Sequence, residues 1–183
     1  MSSSLIIIDM INDFLDGVGE DRGAGIVART NDLATAFRAR GLPVIWVRQA
    51  FRADLSDAFL EMRDKQISIA IEGTRGAEID DRLDRRPEDL LLVKKRYSAF
   101  FGTDLDSVLA AHGIGEVTLA GVNTHACVRT TAIDAYQRDL RVILATDCLA
   151  SHDPSHAEIS LRYMDGKIGR AMSNAEIIER LGR

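Results

Sequence analysis

The chain is poor in the features that mark several large classes of protein. It has two cysteines in 183 residues, Cys127 and Cys148, too few for a disulfide framework, and the expectation is a reduced, cytoplasmic chain. No apolar run approaches the roughly 20 residues a membrane helix needs, and the Met-Ser-Ser-Ser start has neither the charge nor the length of a signal peptide. Lys and Arg number 23 against 28 Asp and Glu, a net charge of −5, so neither nucleic acid nor an anionic membrane surface is an expected partner. No histidine precedes His112, and no repeat, low-complexity tract or linker is visible. What remains is a soluble globular chain. Its hydrophobic fraction of 46% is enough to fill a sizeable core, and its length fits one domain, residues 1–183.

Apolar runs alternate with helical patterns. Ser4 to Asp9 reads as a fully buried strand, followed by Ile26, Thr30, Leu33, Ala34 and Phe37 at helical spacing until Gly41. Pro43 to Arg48 and Leu90 to Lys94 read as the next strands. Thr103 opens a helix with an acid three residues on, a capping-box-like start. Glu116 to Gly121 is a strand, Thr124 to Arg138 a helix and Leu140 to Thr146 a strand. A helix over Ser155 to Met164, a short strand over Ile168 to Met172 and a helix over Asn174 to Leu181 close the chain. Strands apolar on both faces and separated by helices predict a parallel sheet covered on each side. The charged stretch Ala50 to Pro87 reads as partly helical excursions forming a wall or lid. The glycines at 17, 19, 23 and 25 do not match G-x-G-x-x-G, since the third falls one place late and Glu20 and Asp21 would repel a pyrophosphate. They are read as a flexible loop.

Three polar residues end apolar runs. Asp9 closes Leu5-Ile-Ile-Ile, Lys94 closes Leu90-Leu-Leu-Val, and Cys127 follows the fourth strand at a helix start. In an open parallel sheet these carboxyl ends form the ligand-binding edge. Free cysteines are commonly small buried hydrophobes, and Cys148 fits that description. Cys127 differs because the first turn of a helix favours thiolate. Asp9 has two readings, a turn cap or a partly desolvated general base. Lys94 and Lys95 point to opposite faces in extended backbone, so only one easily enters a site. A positive charge there would stabilise both thiolate and oxyanion. An acid, a cation and a thiol at one edge point to an enzyme with a cysteine nucleophile.

Asp9-Met-Ile-Asn-Asp-Phe14, Val93-Lys-Lys-Arg-Tyr-Ser-Ala-Phe100 and Gly121-Val-Asn-Thr-His-Ala-Cys-Val-Arg129 together resemble the isochorismatase-like cysteine hydrolase superfamily, in the family's order and across most of the chain. The resemblance implies a three-layer α/β/α sandwich with a six-stranded, mostly parallel sheet. It also implies an Asp-Lys-Cys triad falling on Asp9, Lys94 and Cys127, with Lys94 preferred over Lys95 because the family's lysine stands three positions before the tyrosine. It further implies an oxyanion hole from the backbone N–H groups of Asn123 and Cys127, a cis peptide between Val122 and Asn123, and a homo-oligomer, dimer or larger. The run from Asn123 looks most like amidase-type members.

Two departures narrow the reading. The family's nicotinamidase branch carries Asp-x-His after the second strand, where this chain has Trp46-Val-Arg-Gln-Ala-Phe51, so no metal or other cofactor is expected. True isochorismatases open a vinyl ether without a cysteine nucleophile, so Cys127 speaks against that reaction. The expected activity is metal-independent hydrolysis of a small-molecule amide, ureido or lactam-like C–N bond. A vinyl-ether hydrolase and a catalytically idle binding or scaffold member stand as alternatives. Phe14, Trp46, Arg48, Tyr97 and Phe100 are the candidate pocket residues. His125 is two residues from Cys127 and does not face it on a helix. His112 reads as a core-edge residue. His152 and His156 flank Pro154 with no evident third ligand and read as a surface helix start.

Overall fold

The structure is a computed structural model and describes residues 2–182. Its strands are β1 (Ser2–Ile8), β2 (Val44–Gln49), β3 (Leu90–Lys94), β4 (Ile114–Val122), β5 (Arg141–Ala150) and β6 (Arg170–Met172). The helices are α1 (Asn12–Asp16), α2 (Glu20–Arg38), α3 (Leu60–Lys65), α4 (Leu105–Ala111), α5 (Arg129–Tyr136), α6 (Pro154–Met164) and α7 (Asn174–Leu181). The strands form one six-stranded sheet in the order β3-β2-β1-β4-β5-β6, and every adjacent pair is parallel. The order reverses between β1 and β4, and a crevice opens past the carboxyl ends of the strands at such a reversal.

Strand alternation divides the core. Leu5, Ile7, Val44, Trp46, Ala120 and Val122 pack with Leu33, Phe37 and Ile177 on one face. Ile6, Ile8, Ile45, Val47, Val117 and Leu119 pack with Leu105, Leu109, Ala132 and Met164 on the other. Each such aliphatic side chain contributes about 1.5–3 kcal/mol when fully buried. β1 and β4 approach closely at Gly121, whose φ is 123°; a Cβ there would strike the Ile8 carbonyl. Only glycine fits that contact, which brings the ends of these two strands together.

Several sequence expectations change. The glycine-rich stretch is not a flexible loop throughout, because Gly23 and Gly25 lie inside α2. Gly19 at φ 94° turns the chain into that helix, and Glu20 and Asp21 favour its positive end. Thr103 forms no capping box. Its Oγ1 donates to the Ala99 carbonyl at 2.5 Å, while Asp106 pairs with Arg138. A capping box stands instead at Ser173 and Glu176, opening α7. His112 is exposed rather than core-edge, with Nδ1 2.9 Å from the Val108 carbonyl.

The 50–87 excursion builds a wall around its own apolar cluster of Phe51, Leu55, Ala58, Met62 and Ala70, into which Ile11 inserts. Two neighbours just past β1 pin it. Asn12 Nδ2 donates to the carbonyls of Arg75 (2.8 Å) and Glu78 (3.0 Å), and Asp13 accepts from the Ala70 N–H at 2.7 Å. Its far end is tied down at Asp89, whose carboxylate accepts from Arg38 Nη2 (2.6 Å), Trp46 Nε1 (2.9 Å) and the Arg86 N–H (2.9 Å). Trp46 is therefore a core residue with its indole N–H satisfied, not part of a pocket.

Burial disfavours the Asp89 charge, but Arg38, the Arg86 N–H and the Trp46 indole outweigh it and hold the carboxyl below its ordinary range. Its contribution is complete above the unfolded value of about 3.9 and is lost as pH falls through the lower folded value. Removing one partner of a buried ion pair costs about 3–5 kcal/mol. Asp89→Ala should lower stability by about 3 kcal/mol in urea melts at pH 7, with a smaller difference from the parent as pH falls through the folded value.

Candidate active site

β1 ends at Ile8, and Asp9 turns out of the strand with φ 55°. A left-handed conformation costs a residue with a side chain about 1–2 kcal/mol, and strain of this kind gathers at functional sites. The Asp9 N–H donates to the Val47 carbonyl at 2.7 Å. Its Oδ1 accepts from the Gln49 N–H at 2.7 Å, and Oδ2 lies 2.6 Å from Lys94 Nζ. Both charged side chains are 0% exposed. Lys94 reaches from the end of β3 across the sheet edge, with Nζ 3.0 Å from the Arg96 carbonyl, 3.4 Å from Gln49 Oε1 and 3.5 Å from Cys127 Sγ.

Cys127 sits in a single π-turn, Thr124–Val128, that runs on into α5, where an α-helix had been expected from Thr124. The Asn123 carbonyl closes the turn by accepting from the Ala126 N–H (3.1 Å) and the Val128 N–H (3.2 Å). The preceding Val122–Asn123 peptide is cis. Thr131 Oγ1 donates to the Cys127 carbonyl at 2.7 Å and accepts from the Ala99 N–H at 3.0 Å, which ties the thiol-bearing turn to the segment after Lys94.

The electrostatics correct one expectation. Burial pushes the Cys127 thiol well above its ordinary range and the Asp9 carboxylate pushes it further, against the opposing pull of Lys94. The turn's position at a helix start does not overcome those effects, so the thiol rests protonated and is no ready thiolate. Burial alone would lower the Lys94 ammonium, but the Asp9 carboxylate opposes it and the lysine is held charged, above its ordinary range. The resting set is a carboxylate, an ammonium and a neutral thiol. A buried charge pair with complementary hydrogen bonds is the form such groups can take away from water.

Of the residues predicted to line a pocket, three are placed elsewhere. Trp46 lies in the core, as described. Arg48, one step along β2 from Gln49 and so on the opposite face, donates to the Ala77 carbonyl (2.8 Å) and Glu78 (3.0 Å) and anchors the wall. Phe100 is buried in the core under the Arg138 guanidinium, 4.4 Å from its ring centroid. Phe14 is half-buried between the wall cluster and the main core. Tyr97 is 49% exposed and packs on Phe59 with centroids 4.8 Å apart. Lys95 points away from the three groups and pairs with Asp57 at 2.8 Å.

Sequence reasoning missed Gln49, which is buried and touches both charged groups. Its signal was the same as theirs, a polar residue closing an apolar strand. The histidines also meet. His125 lies 5.1 Å from His152 and 5.8 Å from His156 between ring centroids, with His156 at the start of α6 beside its N-cap, Asp153. Among the described residues no group of three or more His, Cys, Asp or Glu is placed to hold a metal ion, and no helix is long and apolar enough to cross a membrane.

The model of the isochorismatase domain matches residues 3–176. A probable inactive nicotinamidase of Arabidopsis thaliana is 35% identical over 84% of this chain and 83% of its own. A ureidoacrylate amidohydrolase of Methylorubrum extorquens is 30% identical over 90% of this chain and 77% of its own. The crystal structure of an isochorismatase family protein from Desulfovibrio vulgaris superposes with a TM-score of 0.88 at 31% identity, covering 100% of this chain and 99% of that one. With its sheet order and this match across nearly its whole length, the chain belongs to the isochorismatase family of hydrolases.

Proposed function

We propose that this chain is a cysteine-dependent hydrolase of a small amide, ureido or lactam-like C–N bond, acting through a thioester on Cys127. The observation that carries the reading is the contact set itself, with Lys94 Nζ 2.6 Å from Asp9 and 3.5 Å from Cys127 Sγ. A neutral thiol held against a carboxylate needs a base at the moment of attack, and Asp9 is that base. Asp9 takes the thiol proton as sulfur adds to the carbonyl carbon, and the carbonyl oxygen becomes an oxyanion facing the backbone N–H groups of Asn123 and Cys127. The proton passes from Asp9 to the leaving nitrogen as the C–N bond breaks. Asp9 then draws a proton from water as the water oxygen adds to the thioester carbon; the C–S bond breaks, the acid leaves and Asp9 returns the proton to sulfur. Lys94 holds the carboxylate and balances the negative charge throughout. Cys127 is only 3% exposed, which suits a small substrate. The activity of the Methylorubrum relative, named for hydrolysing ureidoacrylate, supports the ureido option. The Arabidopsis relative, named as inactive, keeps an idle member of this fold as the second reading.

A panel of small amides, ureides and lactams scored by ammonia release or ring opening tests the reaction. Cys127→Ser should lose at least about a hundredfold in turnover, and iodoacetamide should inactivate in step with label on Cys127, not Cys148, which lies in the core with no exposure and with Sγ 3.2 Å from Asn174 Oδ1. Retained turnover in Cys127→Ser would overturn the thioester. Absence of both ammonia and ring-opened product from every substrate, lactams included, in wild type would favour the idle reading.

Asp9→Asn separates thiol ionisation from catalysis. It removes the negative charge that holds the proton on sulfur and leaves Lys94 unbalanced, so alkylation at pH 7 should quicken while turnover disappears. Slower alkylation would show that Asp9 does not set the thiol. Lys94→Ala should stall turnover, whereas Lys95→Ala, whose ammonium pairs with Asp57, should stay within about twofold.

Turnover should also survive dialysis against a strong chelator, because the Asp9 carboxylate is already engaged by Lys94 and Gln49. A loss restored by zinc would contradict a purely cysteine-based reaction.

A further inference from the structure

The end of β5 grips the turn that carries Cys127 through the side chain of Asn123. Asn123 Oδ1 accepts from the His152 N–H at 3.1 Å, lies 3.1 Å from His152 Nδ1 and accepts from Ser151 Oγ at 3.4 Å. A carboxamide oxygen only accepts, so His152 carries its hydrogen on Nδ1. Ser151 Oγ also lies 2.5 Å from His125 Nδ1. A fourth tie runs from Thr124 Oγ1 to the Ala150 carbonyl at 3.0 Å.

We propose that Ser151 and His152 are positioning residues for the oxyanion hole, acting through the Asn123 side chain to aim the Asn123 peptide N–H. This rests on the thioester reading above. A side-chain oxygen gripped by two consecutive residues of another strand end fixes its own backbone far more tightly than a turn closed only on itself. Such preorganisation is what makes backbone donors effective towards a developing oxyanion. Neither Ser151 nor His152 touches the reacting atoms. Their effect is confined to the oxygen side of the site, while the thiol and its base answer to Asp9 and Lys94.

The test uses butyraldehyde on the whole chain. Sulfur adds to the aldehyde carbon and the thiol proton passes to its oxygen, giving a thiohemiacetal whose oxygen occupies the hole, and protection of Cys127 from iodoacetamide reports its affinity. Ser151→Ala/His152→Gln should weaken protection about tenfold while leaving the rate of alkylation without aldehyde within about twofold. His152→Asn, whose side-chain N–H replaces Nδ1–H, should return protection to within about twofold of wild type, and Gln at the same place should not. Undiminished protection in the double variant overturns the proposal, as does an equal fall in alkylation without aldehyde, which would mean that the whole turn had moved. Retained turnover in Cys127→Ser overturns the thioester reading itself, whereas protection that the double variant keeps in full overturns only the tether.

Discussion

A carboxylate and an ammonium with no exposure to water, 2.6 Å apart, are the constraint around which the rest of the structure is arranged. Withdrawing either charge from water alone costs several kcal/mol, and mutual attraction offsets that only with good geometry and further hydrogen bonds. The protein supplies these from several directions. The Gln49 N–H fixes one oxygen of Asp9, while the Arg96 carbonyl and Gln49 Oε1 take hydrogens of Lys94. The left-handed φ of Asp9, the Gly121 contact that draws β1 against β4 and the wall pinned by Asn12 and Asp13 all serve the same end. They bring a strand-end carboxylate under cover without leaving it alone.

The pair also dictates how the thiol behaves. A cysteine facing only a lysine would ionise readily and be open to stray oxidants and alkylators. Here burial and the Asp9 carboxylate together outweigh the lysine and hold the proton on sulfur. This is a different arrangement from the ready thiolate that a helix start alone suggests.

The sequence was most legible where one residue's chemistry and its place at a strand end coincided. Asp9, Lys94 and Cys127 each interrupt an apolar run, and the parallel topology brings such interruptions to one edge. Gln49 interrupts β2 in the same manner and went unread because an uncharged amide carries no obvious chemistry. Trp46, Arg48 and Phe100 were misplaced for a common reason. Their proximity in sequence to the motifs says nothing of which face they take, and tertiary partners decided it: Asp89 for Trp46, the Ala77 carbonyl and Glu78 for Arg48, and the core under Arg138 for Phe100. The 50–87 wall was legible only as irregular, since the polar groups that hold it, Asn12, Asp13 and Asp89, come from outside it or from its border. Helices with strong periodicity or caps, such as α7, could be read to the residue.

Lys94 crosses the top of β2 to reach a carboxylate on β1, and this has a consequence for how the chain folds. A partly assembled sheet in which β3 has docked without the exit of β1 would hold a dehydrated ammonium with no counter-charge, and the converse would strand a carboxylate. Either half-built form is penalised by more than its missing apolar contacts. The strap thus discourages populated intermediates and couples three strands that are distant along the chain into one cooperative event. In a parallel sheet, whose pairings are non-local and slow to form, the same two charges that equip the site also act as a check that its strands have come together in register.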